Sequence, residues 1–400
     1  MVAPTLIFLA TYLVLAFGRM PPYRIDRTGA AIIGASLMIA FDVLTLGEAY
    51  AAVNYDTIML LFGTMIVVAN LRLSGFFSAV SEWVVEHAHR PIVLLISIVA
   101  VSGIFSAFFV NDTMCIVLTP LVLEIMAALG RNPIPYLLAV AMASNVGSVA
   151  TITGNPQNMM IGSFSGIPYR QFVTALSPVA ILGLFATIVV IACVYGKEFR
   201  LDQRMTIERR PARVNRVLMW KAIAASVGMI VFFFLGWPVP KVALVAGALL
   251  LITRRVKPEK VYMQIDWQLL VLFVGLFIVV AGMEKTIMSS DLPGLVSQFQ
   301  LEEIGWLSTL TAILSNLVSN VPAVLVLKPF LAHFANPTRG WLTIAMASTL
   351  AGNLTILGSV ANLIVVQRAR RTVEITFWEY FKAGAPLTVI TILIGILILG

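Results

Sequence analysis

The chain has 400 residues, 60% of them hydrophobic and only 12% charged, about half the charged share of an average soluble protein. So few charges cannot coat a water-facing surface, and so much apolar content excludes disorder. The net charge of +8 sits in short loops between apolar runs, the pattern of membrane orientation rather than of nucleic-acid binding. What remains is an all-α polytopic membrane protein with room for about ten crossings. The apolar runs are continuous rather than alternating, which argues against an outer-membrane barrel.

The first apolar run, 4–18, has no basic leader and no clear small-residue cleavage site, so it is expected to stay as a first helix. Further crossings are expected over 29–47, 55–71, 172–195, 218–236, 239–253, 267–283 and 377–399. Residues 92–110 and 112–129 are parted by Asn111-Asp112, and residues 304–318 and 321–335 by Ser319-Asn320. Each pair reads as two crossings or as one re-entrant hairpin. Segments 136–163 and 341–366 read as single crossings with a polar, Gly-rich break. Residues 76–89 form a short amphipathic stretch expected along the inner surface. Cys115 and Cys193 lie in apolar segments and are expected to be buried free thiols.

Cytoplasmic loops are enriched in Lys and Arg. Arg19, Arg24 and Arg27 follow the first helix, so the N-terminus is expected outside. Residues 48–54 carry Glu48 and no base, and are expected outside. Arg72, Arg90 and Arg131 return to the inside, which puts both ends of 91–130 on the cytoplasmic side. The linker 197–217 carries Lys197, Arg200, Arg204, Arg209, Arg210, Arg213 and Arg216 and is expected to be cytoplasmic. So are Arg254, Arg255, Lys257 and Lys260, and Arg368, Arg370 and Arg371; the C-terminus is then outside. Only Arg170 falls against the rule.

Three landmarks recur in order. Ile66-Val67-Val68-Ala69 returns at 278–281. Ser106, Asn111 and Pro120 return with identical spacing as Ser315, Asn320 and Pro329. AMASNVGSVATITGNPQN (141–158) returns as AMASTLAGNLTILGSVAN (345–362). The halves are 1–196, with a cytoplasmic-side hairpin at about 91–130 and a broken helix at 136–163, and 218–400, with an external-side hairpin at about 303–336 and a broken helix at 341–366. By the charge rule 55–71 and its partner 267–283 cross in opposite directions, so the repeats are inverted. Inverted repeats with broken helices meeting near the midplane mark secondary transporters.

Polar residues deep in hydrocarbon are costly and usually have a task, and unwound backbone there must line a cavity or be buried in protein. The first half offers Ser106, Asn111, Asp112 and Thr113 at the hairpin tip and Thr151, Thr153, Gly154, Asn155 and Asn158 at the break. The second offers Ser315, Asn316, Ser319 and Asn320, with Asn353, Thr355, Gly358, Ser359 and Asn362. Hydroxyls, amides and free helix ends are ligands for a dehydrated cation or a small anion; the bland alternative is helix–helix glue. Asp112, a carboxylate inside a long apolar stretch, is either a Na⁺ or H⁺ coupling site or a cap of the helix that follows it. Lys328 either attracts an anion or snorkels to the interface. His87, His89 and His333 are too scattered for a metal centre.

At these motifs the sequence resembles the ion transporter superfamily, which includes divalent-anion/sodium symporters, citrate transporters, arsenite permeases and some sodium/proton antiporters. The symporters carry Ser-Asn-Thr at two hairpin tips with a Pro nine residues after the Asn, a spacing matched by Asn111 to Pro120 and Asn320 to Pro329. GNPQN (154–158) and GSVAN (358–362) look like the family's two breaks. The motifs depart from the symporters where they read Val110-Asn111-Asp112 and Ser319-Asn320-Val321, and lean toward the arsenite permeases, which move a neutral metalloid with proton coupling.

The resemblance implies a homodimer in the cell inner membrane, surrounded by lipid, with a substrate pocket between the tips and an elevator-like shift. The expected function is secondary transport of a small anion, an inorganic oxyanion or a di- or tricarboxylate, coupled to Na⁺ or H⁺; the alternative is metalloid efflux or sodium/proton exchange. Candidate cation ligands are Ser106, Asn111, Asp112 and Gly154, and Ser315, Asn320 and Gly358. Candidate substrate contacts are Asn111, Asp112, Thr113, Asn155, Asn158, Asn320, Ser359 and Asn362. No cofactor is expected; an enzyme is disfavoured because no HExxH, no paired intramembrane aspartates and no Ser/His dyad at membrane depth are present, and ATP-driven pumping because no Walker A sequence is.

Overall fold

The structure is a computed structural model that describes residues 2–17, 19–20, 25–199, 214–287, 296 and 300–400. Backbone N–H and C=O groups find no water in hydrocarbon, so apolar runs of this length close their hydrogen bonds within helices. The protein is accordingly an all-α polytopic membrane protein. Among the described residues seven helices are long and apolar enough to cross a membrane, from Tyr55–Leu73 to Phe377–Leu399, and shorter apolar helices fill the gaps. A two-residue antiparallel pair, Arg19–Met20 with Ile25–Asp26, closes the turn after the first helix. Most of the linker 197–217, including Arg200, Arg204, Arg209, Arg210 and Arg213, lies outside the described residues, as does Arg24.

Each half contains the same sequence of parts. Three helices come first: Val2–Phe17, Arg27–Ala40 and Tyr55–Leu73 in one half, and Arg216–Phe234, Val239–Leu251 and Trp267–Ile287 in the other. A helical hairpin follows, then a broken helix, then a closing helix, Tyr169–Val194 or Phe377–Leu399. The expected crossing over 29–47 is shorter than the hydropathy suggests. Asp26 caps its start by accepting from Gly29 N–H at 2.8 Å, and it stops at Ala40, where Asp42 turns to φ 54°. Thr45 and Glu48 then form a capping box that starts the short helix Leu46–Ala52, so this stretch is no open loop.

The hairpins are Pro91–Phe108 with Asn111–Leu129, and Ile304–Val318 with Asn320–Leu331. The broken helices are Ile134–Ser148 resuming at Pro156–Ser165, and Pro337–Ala351 resuming at Val360–Ala369. Both breaks end in a cap: Asn155 Oδ1 accepts from Asn158 N–H at 2.8 Å, and Ser359 Oγ accepts from Ala361 N–H at 3.2 Å.

Hairpins, broken helices and closing helices pack together as a core bundle, and the three-helix sets pair across the halves as a frame. The frame is symmetric at atomic detail. A Cβ on Gly63 would come 2.5 Å from the Ala243 carbonyl carbon, and one on Gly275, its repeat partner, 2.8 Å from that of Ala31. Only glycine lets these backbones meet so closely. One cysteine departs from expectation. Cys115 is buried, but Cys193 is exposed, because it lies on the outward side of Tyr169–Val194 and not toward the bundle.

Candidate binding site

Both hairpin tips and both helix restarts surround one cavity of about 580 Å³, counting its open mouth. Asn111 and Asp112 come from the first tip, Ser319 and Asn320 from the second, and Pro156, Gln157, Ser359 and Val360 from the restarts. The frame contributes Leu15, Arg27, Leu269, Leu272 and Phe273, all from the ends of their helices that carry the basic loops. The mouth is therefore at that end.

An amide chain links the first tip to both broken helices. Asn111 Nδ2 donates to Asn145 Oδ1 at 2.9 Å. Asn145 Nδ2 donates to Asn353 Oδ1 at 2.9 Å and Asn362 Oδ1 at 3.0 Å, and Ser359 Oγ donates to Asn145 Oδ1 at 3.1 Å. Thr349 holds the position in the second half that Asn145 holds in the first. Its hydroxyl accepts from Asn155 Nδ2 and Gln157 Nε2, each at 3.1 Å. Each half thus supplies the partner for the other's restart.

Oxygens gather at one of the two predicted cation positions, that of the second half. Asn320 Oδ1 lies 2.5 Å from Ser315 Oγ, 3.2 Å from the Ser348 carbonyl and 3.3 Å from the Gly358 carbonyl. Four converging oxygens suit a dehydrated cation. The same amide turned over closes the site without one: Nδ2 then donates to those oxygens, and Oδ1 accepts from Gln157 Nε2 at 3.1 Å. In the first half the matched atoms are orphans. Ser106 Oγ and Asn111 Oδ1 are buried and have no hydrogen-bond partner among the described residues, a costly condition that a bound cation relieves. Ser319 sits at φ 80°, ψ 160°, a conformation that only glycine adopts freely, so the second tip holds backbone strain beside the cavity.

Asp112 makes no cap for the helix it opens. Its carboxylate instead faces the Ala361 N–H at the start of Val360–Ala369, in the cavity wall, where the helix dipole favours negative charge. Lys328 neither lines the cavity nor snorkels freely: its Nζ bonds both carboxylate oxygens of Glu284, at 2.9 and 3.2 Å.

Other predicted residues stand behind the wall. Thr113 does not line the cavity. Asn158 Nδ2 bonds the carbonyls of Ser148 and Thr151, and Asn362 Nδ2 those of Gly352 and Thr355. Asn155 turns to Ser148 and Thr349. Thr151 bonds the Ala107 carbonyl, and Thr153 the Tyr169 hydroxyl. Gly154 permits a close turn, since a Cβ there would lie 2.1 Å from the Ser148 carbonyl. Asn316 Nδ2 bonds the Ala312 and Ala351 carbonyls. Sequence reasoning missed Asn145, Thr349 and Gln157, whose signal was a polar side chain inside or beside a repeated motif, and Arg27, read only as an orientation marker.

Residues 12–351 match the family described as citrate transporter. The chain is 31% identical to the silicon efflux transporter LSI3 of Oryza sativa subsp. japonica, covering 97% of this chain and 95% of that protein. It is 29% identical to an uncharacterized transporter of Mycobacterium tuberculosis, covering 96% and 95%. The fold is similar to that of the YdaH transporter of Alcanivorax borkumensis, with a TM-score of 0.59 at 15% identity over 99% of this chain and 97% of the other. The chain therefore belongs to the citrate transporter family, whose members are membrane transporters and not enzymes.

Proposed function

We propose that the protein is a secondary transporter that exports a small, uncharged, hydroxylated solute of the silicic or arsenous acid class, coupled to a cation. The observation that carries this reading is the position of Asp112. The start of Val360–Ala369 is where an anionic group would bind, and the protein's own carboxylate faces it. Apart from Arg27 at the mouth, the other polar cavity groups are the amides of Asn111, Gln157 and Asn320 and the hydroxyls of Ser319 and Ser359, which pair with neutral O–H groups as donors and acceptors. The silicon efflux relative supports the same solute class. The basic end, where the cavity opens, is cytoplasmic by the charge rule, so solute loads from inside and the chain resides in the plasma membrane with both termini outside. The two bodies of the fold suit an elevator-like shift of the core bundle against the frame. Asp112 takes up and releases the coupling proton.

A second reading, Na⁺-driven movement of a small anion, is favoured by the oxygens around Asn320 and by Arg27 at the mouth. Proteoliposomes decide between the two. Silicic or arsenous acid should move in response to a pH gradient, and Asp112→Asn should remove the pH response. Succinate or citrate moving with a Na⁺ gradient, with the neutral solutes standing still, would overturn the first reading in favour of the second.

A further inference from the structure

The seam between frame and core bundle is built differently at its two ends. At the end remote from the cavity mouth, Lys328 and Phe164 of the core bundle meet Glu284 and Phe277 of the frame. Lys328 Nζ holds both oxygens of Glu284 and stands 4.7 Å from the Phe164 ring centroid. Phe164 in turn packs edge-on against Phe277 of the frame, centroids 6.0 Å apart. The Lys328 and Glu284 side chains are 31% and 22% exposed, so water screens their attraction only in part.

The repeat carries these positions to the opposite end. Through Ile66-Val67-Val68-Ala69 and its copy, Glu284 corresponds to Arg72. Through Leu118-Thr119-Pro120 and Leu327-Lys328-Pro329, Lys328 corresponds to Thr119, and through the two breaks Phe164 corresponds to Arg368. An anion, a cation and a ring at one end thus become an arginine, a threonine and a second arginine at the other. Arg368 is near enough to Arg72 to repel it, and among the described residues Arg72 Nη1 bonds the neutral Gln264 Oε1, at 2.6 Å. Among the described residues neither arginine forms a salt bridge.

We infer that Lys328, Glu284 and Phe164 are a latch that shuts the far end, and that Arg72 and Arg368 are a like-charge wedge that holds the basic end open. Inverted repeats reach the opposite conformation by exchanging the geometries of their halves. In that conformation Arg72 would press against Thr119 as Glu284 now presses against Lys328, with Arg368 in the place beside Thr119 that Phe164 now holds beside Lys328, and attraction is replaced by repulsion. The unloaded protein therefore rests open at the basic end, and solute binding must supply the difference. This deepens the proposed function and rests on its alternating-access element.

The exchange also names a reporter. Leu269 and Leu272 line the open mouth; their repeat partners, Thr57 and Leu60, are 0% and 2% exposed. Thr57→Cys, in the full chain with Cys193→Ser, is treated with a membrane-impermeant maleimide from outside, with and without silicic acid. Labelling should be slow, and Glu284→Gln or Lys328→Gln should speed it on the order of five-fold, the effect of one partly exposed ion pair. The exchange Glu284→Lys with Lys328→Glu should restore slow labelling. Arg72→Glu, at an exposed position where folding is not at risk, should also speed it. Labelling that rises with silicic acid yet is unmoved by Glu284→Gln, Lys328→Gln and Arg72→Glu would overturn the latch and leave alternating access standing. Labelling absent under every condition would overturn both.

Discussion

Asn158 and Asn362 occupy matched positions in the two halves and make matched bonds. Asn158 Nδ2 donates to the Ser148 carbonyl at 3.1 Å and the Thr151 carbonyl at 3.0 Å; Asn362 Nδ2 donates to the Gly352 carbonyl at 2.7 Å and the Thr355 carbonyl at 3.0 Å. Each amide replaces the backbone donors lost where its helix breaks. Replacing either residue with Ala removes two hydrogen bonds to carbonyls at its break and should lower stability by about 2 kcal/mol, read as a fall in the thermal midpoint of the purified protein. Asn362→Ala should fall further, because Asn362 Oδ1 also accepts from Asn145. Asp should rescue neither, since a carboxylate cannot donate. Unchanged midpoints would mean that the breaks are held by something else.

The close approaches of Gly63 to Ala243 and of Gly275 to Ala31 make a second prediction. Gly63→Ala and Gly275→Ala each drive a methyl into the facing backbone and should destabilise by about 1–3 kcal/mol. Gly228 has nothing within 4 Å of an added Cβ, so Gly228→Ala should be neutral or slightly stabilising through helix propensity. Equal melting of all three variants would contradict the frame pairing.

Much of this was readable from the chain because the breaks announce themselves. Gly154, Asn155 and Pro156 interrupt an apolar run, and a second polar interruption sits at the matching place. Asn145 and Thr349 were not readable. Each follows Ala-Met-Ala-Ser inside an unbroken helix, where one polar residue looks like any packing contact, and only the meeting of the halves gives it a partner. Glu284 closes an apolar run and reads as an interfacial charge until the fold brings Lys328 against it. Asp42 shows the limit of hydropathy: its turn ends a helix whose apolar pattern continues past it.

Glu48 gives an acid-side test outside the membrane spans. Hydrogen bonds from Lys285, then from the Thr45 backbone and hydroxyl, hold its carboxyl down from 4.5 to about 2. A carboxyl depressed in the folded state contributes stability above its unfolded value and loses it as pH falls through the folded one. The contribution should be full above pH 4.5 and fade toward pH 2. Glu48→Gln should therefore lower stability at neutral pH and flatten the acid limb, so that parent and variant converge as pH falls toward 2. A parent and variant with parallel acid limbs would show that the Lys285 contact is not held in solution.

The two candidate cation positions differ in what they need. Around Asn320 the amide can turn and satisfy Ser315, Ser348 and Gly358 by itself, so an empty second site costs little. Ser106 Oγ and Asn111 Oδ1 have no such internal remedy among the described residues. A cation should therefore stabilise the first site more strongly than the second. Thermal melting in NaCl against choline chloride measures this directly. Ser106→Ala should remove most of the Na⁺-dependent rise in midpoint, and should raise the midpoint in choline because it deletes an orphaned buried hydroxyl. Ser315→Ala should remove the smaller part and lower the midpoint in choline, because its hydroxyl bonds the Ser348 carbonyl at 2.9 Å. If Na⁺ leaves the parent's midpoint unmoved, neither position is a sodium site, and coupling falls to Asp112 alone.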